Sequence, residues 1–180
     1  MSNRSAMTGF TMLEVLISIV VIAFGLLGVA GLQAFAVKNN QSAGTRITAT
    51  TLAMDLVDRI HSNPPALALP SGYDKQNLSD YTTLVATCTN GTGCSSLELA
   101  QNDRAEWATL VAAALPSGAG IVCIDSTPND GVSAAAPLCD GTSTGGNGND
   151  NYVVKIWWND DRSVTGNPAA PQRFTWTFIP

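Results

Sequence analysis

Histidine is nearly absent from this chain: His61 is the only one in 180 residues. Charge is scarce as well, with Asp, Glu, Lys and Arg together at 13%. These shortages remove most of the usual catalytic arrangements. His61 has no nucleophile near it in sequence, so no Ser–His or Cys–His pair is nominated. No Cys-x-x-Cys occurs, and one histidine with four scattered cysteines is a poor zinc set. Asp103 and Glu106 are spaced as one exposed helix face and not as an acid–base pair. Nine Lys and Arg against fourteen Asp and Glu leave a net charge of -5, and the basic residues are scattered. That balance argues against general electrostatic binding to nucleic acid. No catalytic residue, cofactor or firm metal site emerges. Gly145-Gly146-Asn147-Gly148-Asn149-Asp150 matches a single calcium-binding repeat of the parallel β-helix type. Such repeats work in tandem, so one copy reads as a flexible loop, with Asp140 and Asp150 as weak calcium ligands.

What the sequence does contain is one long apolar run. From Val15 to Leu32 the only polar side chain is Ser18. A helix from Phe10 to Gln33 is about 36 Å long, enough to cross a hydrocarbon core of about 30 Å. Glu14 is the exception, since a carboxylate in such a helix needs a purpose or a partner. The run is not an ordinary secretory signal, in which a small-residue cleavage site follows a shorter apolar region. Here the small residue, Gly9, precedes the run. A cut after it removes a short polar leader, residues 1–9, and leaves the apolar helix as the new N-terminus.

The helical pattern continues past the run. Ala49, Leu52, Ala53, Leu56 and Ile60 recur at steps of three and four, with Arg46, Asp55, Asp58 and Arg59 on the other side. Pro64-Pro65 stops it. The pattern predicts one helix from about Phe10 to His61, apolar all round at first and amphipathic later. Gly25, Gly28 and Gly31 fit either close helix packing or a segment able to stretch. Residues 64–81 read as loop, and Tyr81–Thr87 as a short strand. Ser95 and Glu98 form a capping-box pattern that opens a second helix, with Trp107 in the core, ending near Leu115. Ile121–Ile124, Tyr152–Asn159 and Phe174–Phe178 read as strands. In the second of these Tyr152, Val154, Ile156 and Trp158 share a face, opposite Lys155 and Asn159. The expected fold class is α+β: a long N-terminal helix packed on a small antiparallel sheet with a second short helix. Trp157 reads as sheet core or contact surface.

Cys88, Cys94, Cys123 and Cys139 beyond a membrane anchor read as disulfides in an oxidising compartment. Three pairings are possible. The sequential one, Cys88–Cys94 with Cys123–Cys139, is expected, because it closes a tight Gly-containing loop and a Gly- and Asp-rich segment.

Gly9-Phe10 with Glu14 resembles the class III signal of type IV prepilins. The resemblance extends through Ala23-Phe24-Gly25-Leu26-Leu27-Gly28 to Gln33, the Trp107 helix running into Pro116-Ser117-Gly118, and Val154-Lys155-Ile156-Trp157-Trp158. Over these residues the chain resembles PilV-type minor pilins of the type IV pilus, although heads vary widely. The resemblance implies cleavage by prepilin peptidase after Gly9, N-methylation of Phe10, and pairing of Glu14 with the N-terminal amine of a neighbouring subunit. It implies three segments: a leader at 1–9, a transmembrane half-helix at 10–37 and a periplasmic head at 38–180, with the amphipathic half-helix at about 38–61. It further implies a single pass through the bacterial inner membrane with the leader cytoplasmic, followed by incorporation into the pilus. The implied partners are the major pilin, other minor pilins, prepilin peptidase, the inner-membrane assembly platform and membrane lipid. The implied role is priming of pilus assembly, in support of twitching motility or adhesion. A minor pseudopilin of a type II secretion system would share the signal. A ligand-binding pilus adhesin is the alternative of another class.

Overall fold

A computed structural model describes residues 11–68, 70–141, 151–159 and 171–180. The elements are α1 (Met12–His61), α2 (Ala86–Thr89), α3 (Ser96–Ala114), β1 (Ala119–Ile124), β2 (Tyr152–Trp158) and β3 (Gln172–Phe178), with 3₁₀ turns at Pro64–Leu67 and Leu78–Tyr81. The chain divides into two compact units, Met1–Ala43 and Gly44–Pro180.

In the first unit the described residues are the opening part of α1. Among the described residues its apolar side chains have nothing to pack on: Leu13, Leu16, Ile19, Ile22, Phe24, Leu27 and Leu32 are all exposed. A soluble helix hides such a surface against its own core. This one leaves the whole circumference bare.

The second unit is an α+β body. The strands form one antiparallel sheet in the order β1-β2-β3. The later part of α1 buries Ala49, Ala53, Leu56 and Ile60 of the stripe that the three- and four-residue spacing predicts; Leu52 is partly buried, and Val57, outside that stripe, is buried as well. These join Trp107 and Val111 of α3 and Val122, Val154, Ile156 and Trp158 of the sheet in one core. The Trp107 indole N–H donates to the Leu52 carbonyl at 2.8 Å, so its polar end is satisfied where its ring is buried. The ring lies on Gly120, where an added Cβ would come within 2.3 Å of Cη2. Gly120→Ala is therefore expected to overpack the core and destabilise this unit by about 1–3 kcal/mol. A thermal melt of the purified chain checks this, and an unchanged midpoint would contradict the packing.

The Ser95–Glu98 capping box forms. Ser95 Oγ accepts from the Glu98 amide at 3.3 Å, and Glu98 Oε2 accepts from the Ser95 amide at 2.8 Å. The bonds from the Ser95 backbone, then its hydroxyl, hold the Glu98 carboxyl below its usual range.

The strand expected over Tyr81–Thr87 does not form. Leu78–Tyr81 is a 3₁₀ turn and Ala86–Thr89 a single helical turn. The reason lies in the free edge of β1. Buried Tyr81 places its hydroxyl there, accepting from the Val122 amide at 2.8 Å and lying 2.9 Å from the Val122 and Lys75 carbonyls. Asp74 Oδ1 takes the Ile124 amide at 2.9 Å. Side chains cover the edge that a further strand would have occupied.

Both faces of β2 are buried. The segment after β1 covers the side carrying Lys155. Lys155 Nζ contacts Asp125 Oδ2, lies 2.8 Å from Asp130 Oδ1, and donates to the Pro137 carbonyl at 2.9 Å. Arg173 of β3 donates to the carbonyls of Asp130 at 2.8 Å and Gly131 at 2.7 Å, and to that of Asn129. The hydrogen bond from Lys155 is the main reason the Asp130 carboxyl sits below its usual range. Cys123 and Cys139 are joined across this segment, Cα to Cα 6.2 Å, and Cys88 and Cys94 are joined at 5.0 Å. In the chain-entropy picture each cross-link contributes about 2–3 kcal/mol by restricting the unfolded chain.

Candidate functional site

The site that the sequence nominates is the start of α1. Thr11 precedes the first helical residue, and its carbonyl accepts from the amides of Glu14 at 3.1 Å and Val15 at 3.3 Å. Its hydroxyl also accepts from the Glu14 amide at 3.3 Å. Thr11 thus satisfies a first-turn donor that would otherwise be orphaned in an apolar medium. One turn on, the Ser18 hydroxyl donates to the Glu14 carbonyl at 2.7 Å, which leaves its polar end bound to the helix backbone.

The backbone of Glu14 is fully engaged, but its carboxylate is not. Among the described residues no side chain meets it, and the surrounding helix surface is apolar and exposed. The only local help is the positive end of the helix dipole, worth about 0.3–1 kcal/mol for a first-turn acid. Gly9 and Phe10, the expected cleavage and methylation positions, lie outside the described residues. At Gly25, Gly28 and Gly31 an added Cβ meets nothing within 4 Å, so no contact in the described chain demands glycine there.

Other nominated residues are placed as follows. Asp140 accepts from the Ser126 amide at 3.0 Å and from the Ser126 hydroxyl, while Asp150 and the repeat-like stretch 145–150 lie outside the described residues. Among the described residues one Cys/Asp cluster has metal-ligand spacing, Cys123, Asp125 and Cys139. Its sulfurs are joined in a disulfide and its carboxylate meets Lys155, which rules it out as a metal centre in this state. His61 stacks edge-on against Phe178 at 5.9 Å between ring centres. Trp157 is buried in the sheet.

Asp103 and Glu106 differ from expectation. Asp103 is only 7% exposed. It accepts from the Tyr73 hydroxyl at 2.7 Å, and Arg59 bridges it to Glu106 with contacts of 3.4 and 3.0 Å. Asn63 donates to the Tyr73 hydroxyl at 3.2 Å and to the Ser96 carbonyl at 2.8 Å. Burial, then the bond to Asp103, pushes the Tyr73 phenol well above its ordinary range. The pair is part of a polar lock between the end of α1 and the start of α3. Spacing within α3 alone could not reveal it, because its partners lie far away in sequence.

The N-terminal region matches the prokaryotic N-terminal methylation motif over residues 4–30. Residues 31–105 match the family described as type IV pilin Tt1218. The chain is similar to type IV pilins.

The two matched regions adjoin at residues 30 and 31 and together take in all of α1, the 3₁₀ turns, α2 and the first half of α3. No curated protein matches the chain, and no solved structure does. Pilins are structural subunits, and the methylation motif implies processing by prepilin peptidase and assembly with other pilus components. The motif and the bare apolar part of α1 together point to membrane anchoring. The long helix, the three-stranded antiparallel sheet and the shorter helices are consistent with the pilin fold.

Proposed function

We propose that the chain is a minor pilin of the PilV type, cleaved after Gly9, methylated on Phe10 and incorporated at or near the tip of a type IV pilus. Its leader, residues 1–9, would face the cytoplasm. Residues 10–37 would cross the inner membrane, and the head, 38–180, would lie in the periplasm and then on the filament. There it would help to prime assembly together with the major pilin, other minor pilins and the inner-membrane platform, and so support twitching motility or adhesion.

The observation that carries this reading is the Glu14 carboxylate. It has no partner among the described residues, yet it sits in the part of α1 whose exposed surface is apolar. Such a charge is costly in lipid and gains most from an opposite charge brought by another chain. An N-terminal amine created by cleavage before Phe10 supplies that charge. The disulfides agree with an exported head.

A deletion strain tests the proposal. The expected result is a loss of surface pili with protein secretion intact. Normal pilus numbers with reduced release of secreted proteins would instead assign the chain to a secretion system as a minor pseudopilin. Normal results on both counts would leave a head that acts as an adhesin.

A further inference from the structure

The exposed Cys88–Cys94 loop has no part in the processing or charge pairing argued above. It contains Asn90-Gly91-Thr92, the Asn-x-Thr tripeptide that oligosaccharyltransferases read on surface segments of exported proteins. Asn3-Arg4-Ser5, Asn40-Gln41-Ser42 and Asn77-Leu78-Ser79 carry the same pattern, so sequence alone does not choose among them.

The local structure does. Asn3 falls in the leader, outside the described residues. Asn40 lies inside α1, where the backbone of the tripeptide is committed to helix. Asn77 precedes a 3₁₀ turn that takes in Leu78 and Ser79, and its side chain makes no bond across that turn. Asn90 stands just past α2, where its own amide donates to the Ala86 carbonyl at 3.2 Å. Its side-chain oxygen accepts from the Thr92 amide at 3.1 Å. This is an Asx turn spanning the whole tripeptide: Oδ1 is occupied, and Nδ2 makes no bond. Gly91 and Gly93 have φ of 78° and 85°, which lets so short a ring close. An added Cβ at either glycine meets nothing within 4 Å, and Thr89 through Gly93 are all exposed. The loop therefore stands clear of the body, and the disulfide holds its ends 5.0 Å apart at Cα.

We propose that Asn90 is an N-glycosylation acceptor. The donor would be a glycan carried on a polyprenyl phosphate or diphosphate, and the catalyst a separate membrane transferase. In the transfer the bond from sugar C1 to the phosphate oxygen breaks, and its electron pair leaves with the lipid phosphate. The bond from Asn90 Nδ2 to C1 forms, and the amide proton passes to a base of the transferase. The Asx turn presents the carboxamide with its oxygen already held and its nitrogen free. The hydroxyl-bearing residue that the enzyme must also grip is fixed two positions on.

The proposal rests on the reading that the head is exported, and one measurement separates the two. The full chain is purified from its native host and its intact mass recorded after reduction. The tryptic peptide Gln76–Arg104 contains both Asn77 and Asn90, and fragmentation places any added mass. The expected result is a chain starting at methylated Phe10 that carries whole sugar units on Asn90 and none on Asn77. Asn90→Gln and Thr92→Val should each abolish the sugar, and Thr92→Ser should retain it. A correctly processed chain with Asn90 unmodified, merely deamidated through Gly91, or with sugar only on serine or threonine, overturns the proposal and leaves the pilin reading standing. A chain that retains Met1 but bears the glycan upholds the acceptor site and overturns the processing.

Discussion

Replacing Gly9 by a bulky residue such as Leu is expected to leave full-length precursor in the membrane and none of the protein in pili. Gly9 stands before the apolar run, and among the described residues the first helical one is Met12. The Gly9–Phe10 bond thus lies, in sequence, just before the Thr11 cap. A peptidase must draw the residue before the cut into close contact with its catalytic groups, and glycine, without Cβ, allows the closest approach. The membrane anchor itself is untouched by the substitution, so insertion should persist while cleavage stops. Intact mass of the membrane-extracted protein reads the outcome. Recovery of a mature chain beginning at Phe10 from the Gly9→Leu strain would overturn the assignment, as would finding Met1 on the unsubstituted protein in assembled pili.

The second large effect is expected at Glu14. Glu14→Ala should be cleaved and inserted normally, yet the ratio of this protein in sheared pili to that in membranes should fall roughly a hundredfold or more. The estimate follows from the cost of breaking a buried ion pair, about 3–5 kcal/mol, with about 1.4 kcal/mol per tenfold change in an equilibrium. The carboxylate and a new N-terminal amine are each costly in an apolar medium and offset one another when paired. A helix with a uniformly apolar surface has no preferred axial register against its neighbours. A single charge pair supplies one, because sliding past it strands both charges. Thr11 already takes the Glu14 amide, so the cap survives loss of the carboxylate and the variant keeps its helix start. Glu14→Gln separates charge from size: it should behave like Ala if charge sets the register. A normal ratio in Glu14→Ala, with cleavage intact, would remove the registration role.

The reach of sequence reading varied with how local the signal was. The Ser95–Glu98 box, the stop at Pro64-Pro65 and the apolar stripe from Ala49 to Ile60 are written within a few residues, and each stands where the spacing put it. Tyr81–Thr87 reads as a strand in sequence, whereas Tyr81 is drawn inward to close the edge of β1. Asp103 looked solvated because its partners, Tyr73 and Arg59, come from other elements. Lys155 read as the polar side of a half-exposed strand. Nothing near it in sequence announces that Asp125, Asp130 and Pro137 would meet its ammonium.

The sequence by itself determined the apolar anchor, the isolated glutamate near its start, the small residue before it and the α+β fold class. These are patterns of composition and period, which a chain displays before it folds. Only the tertiary structure decided that both faces of β2 are covered, that Asp103 ties α3 to Arg59 near the end of α1 and to Tyr73, and which Asn-x-Thr or Asn-x-Ser tripeptide stands in an open turn. Those outcomes depend on contacts between residues far apart in the chain, where desolvation of a charge or an amide is compensated only by the partner that packing brings to it.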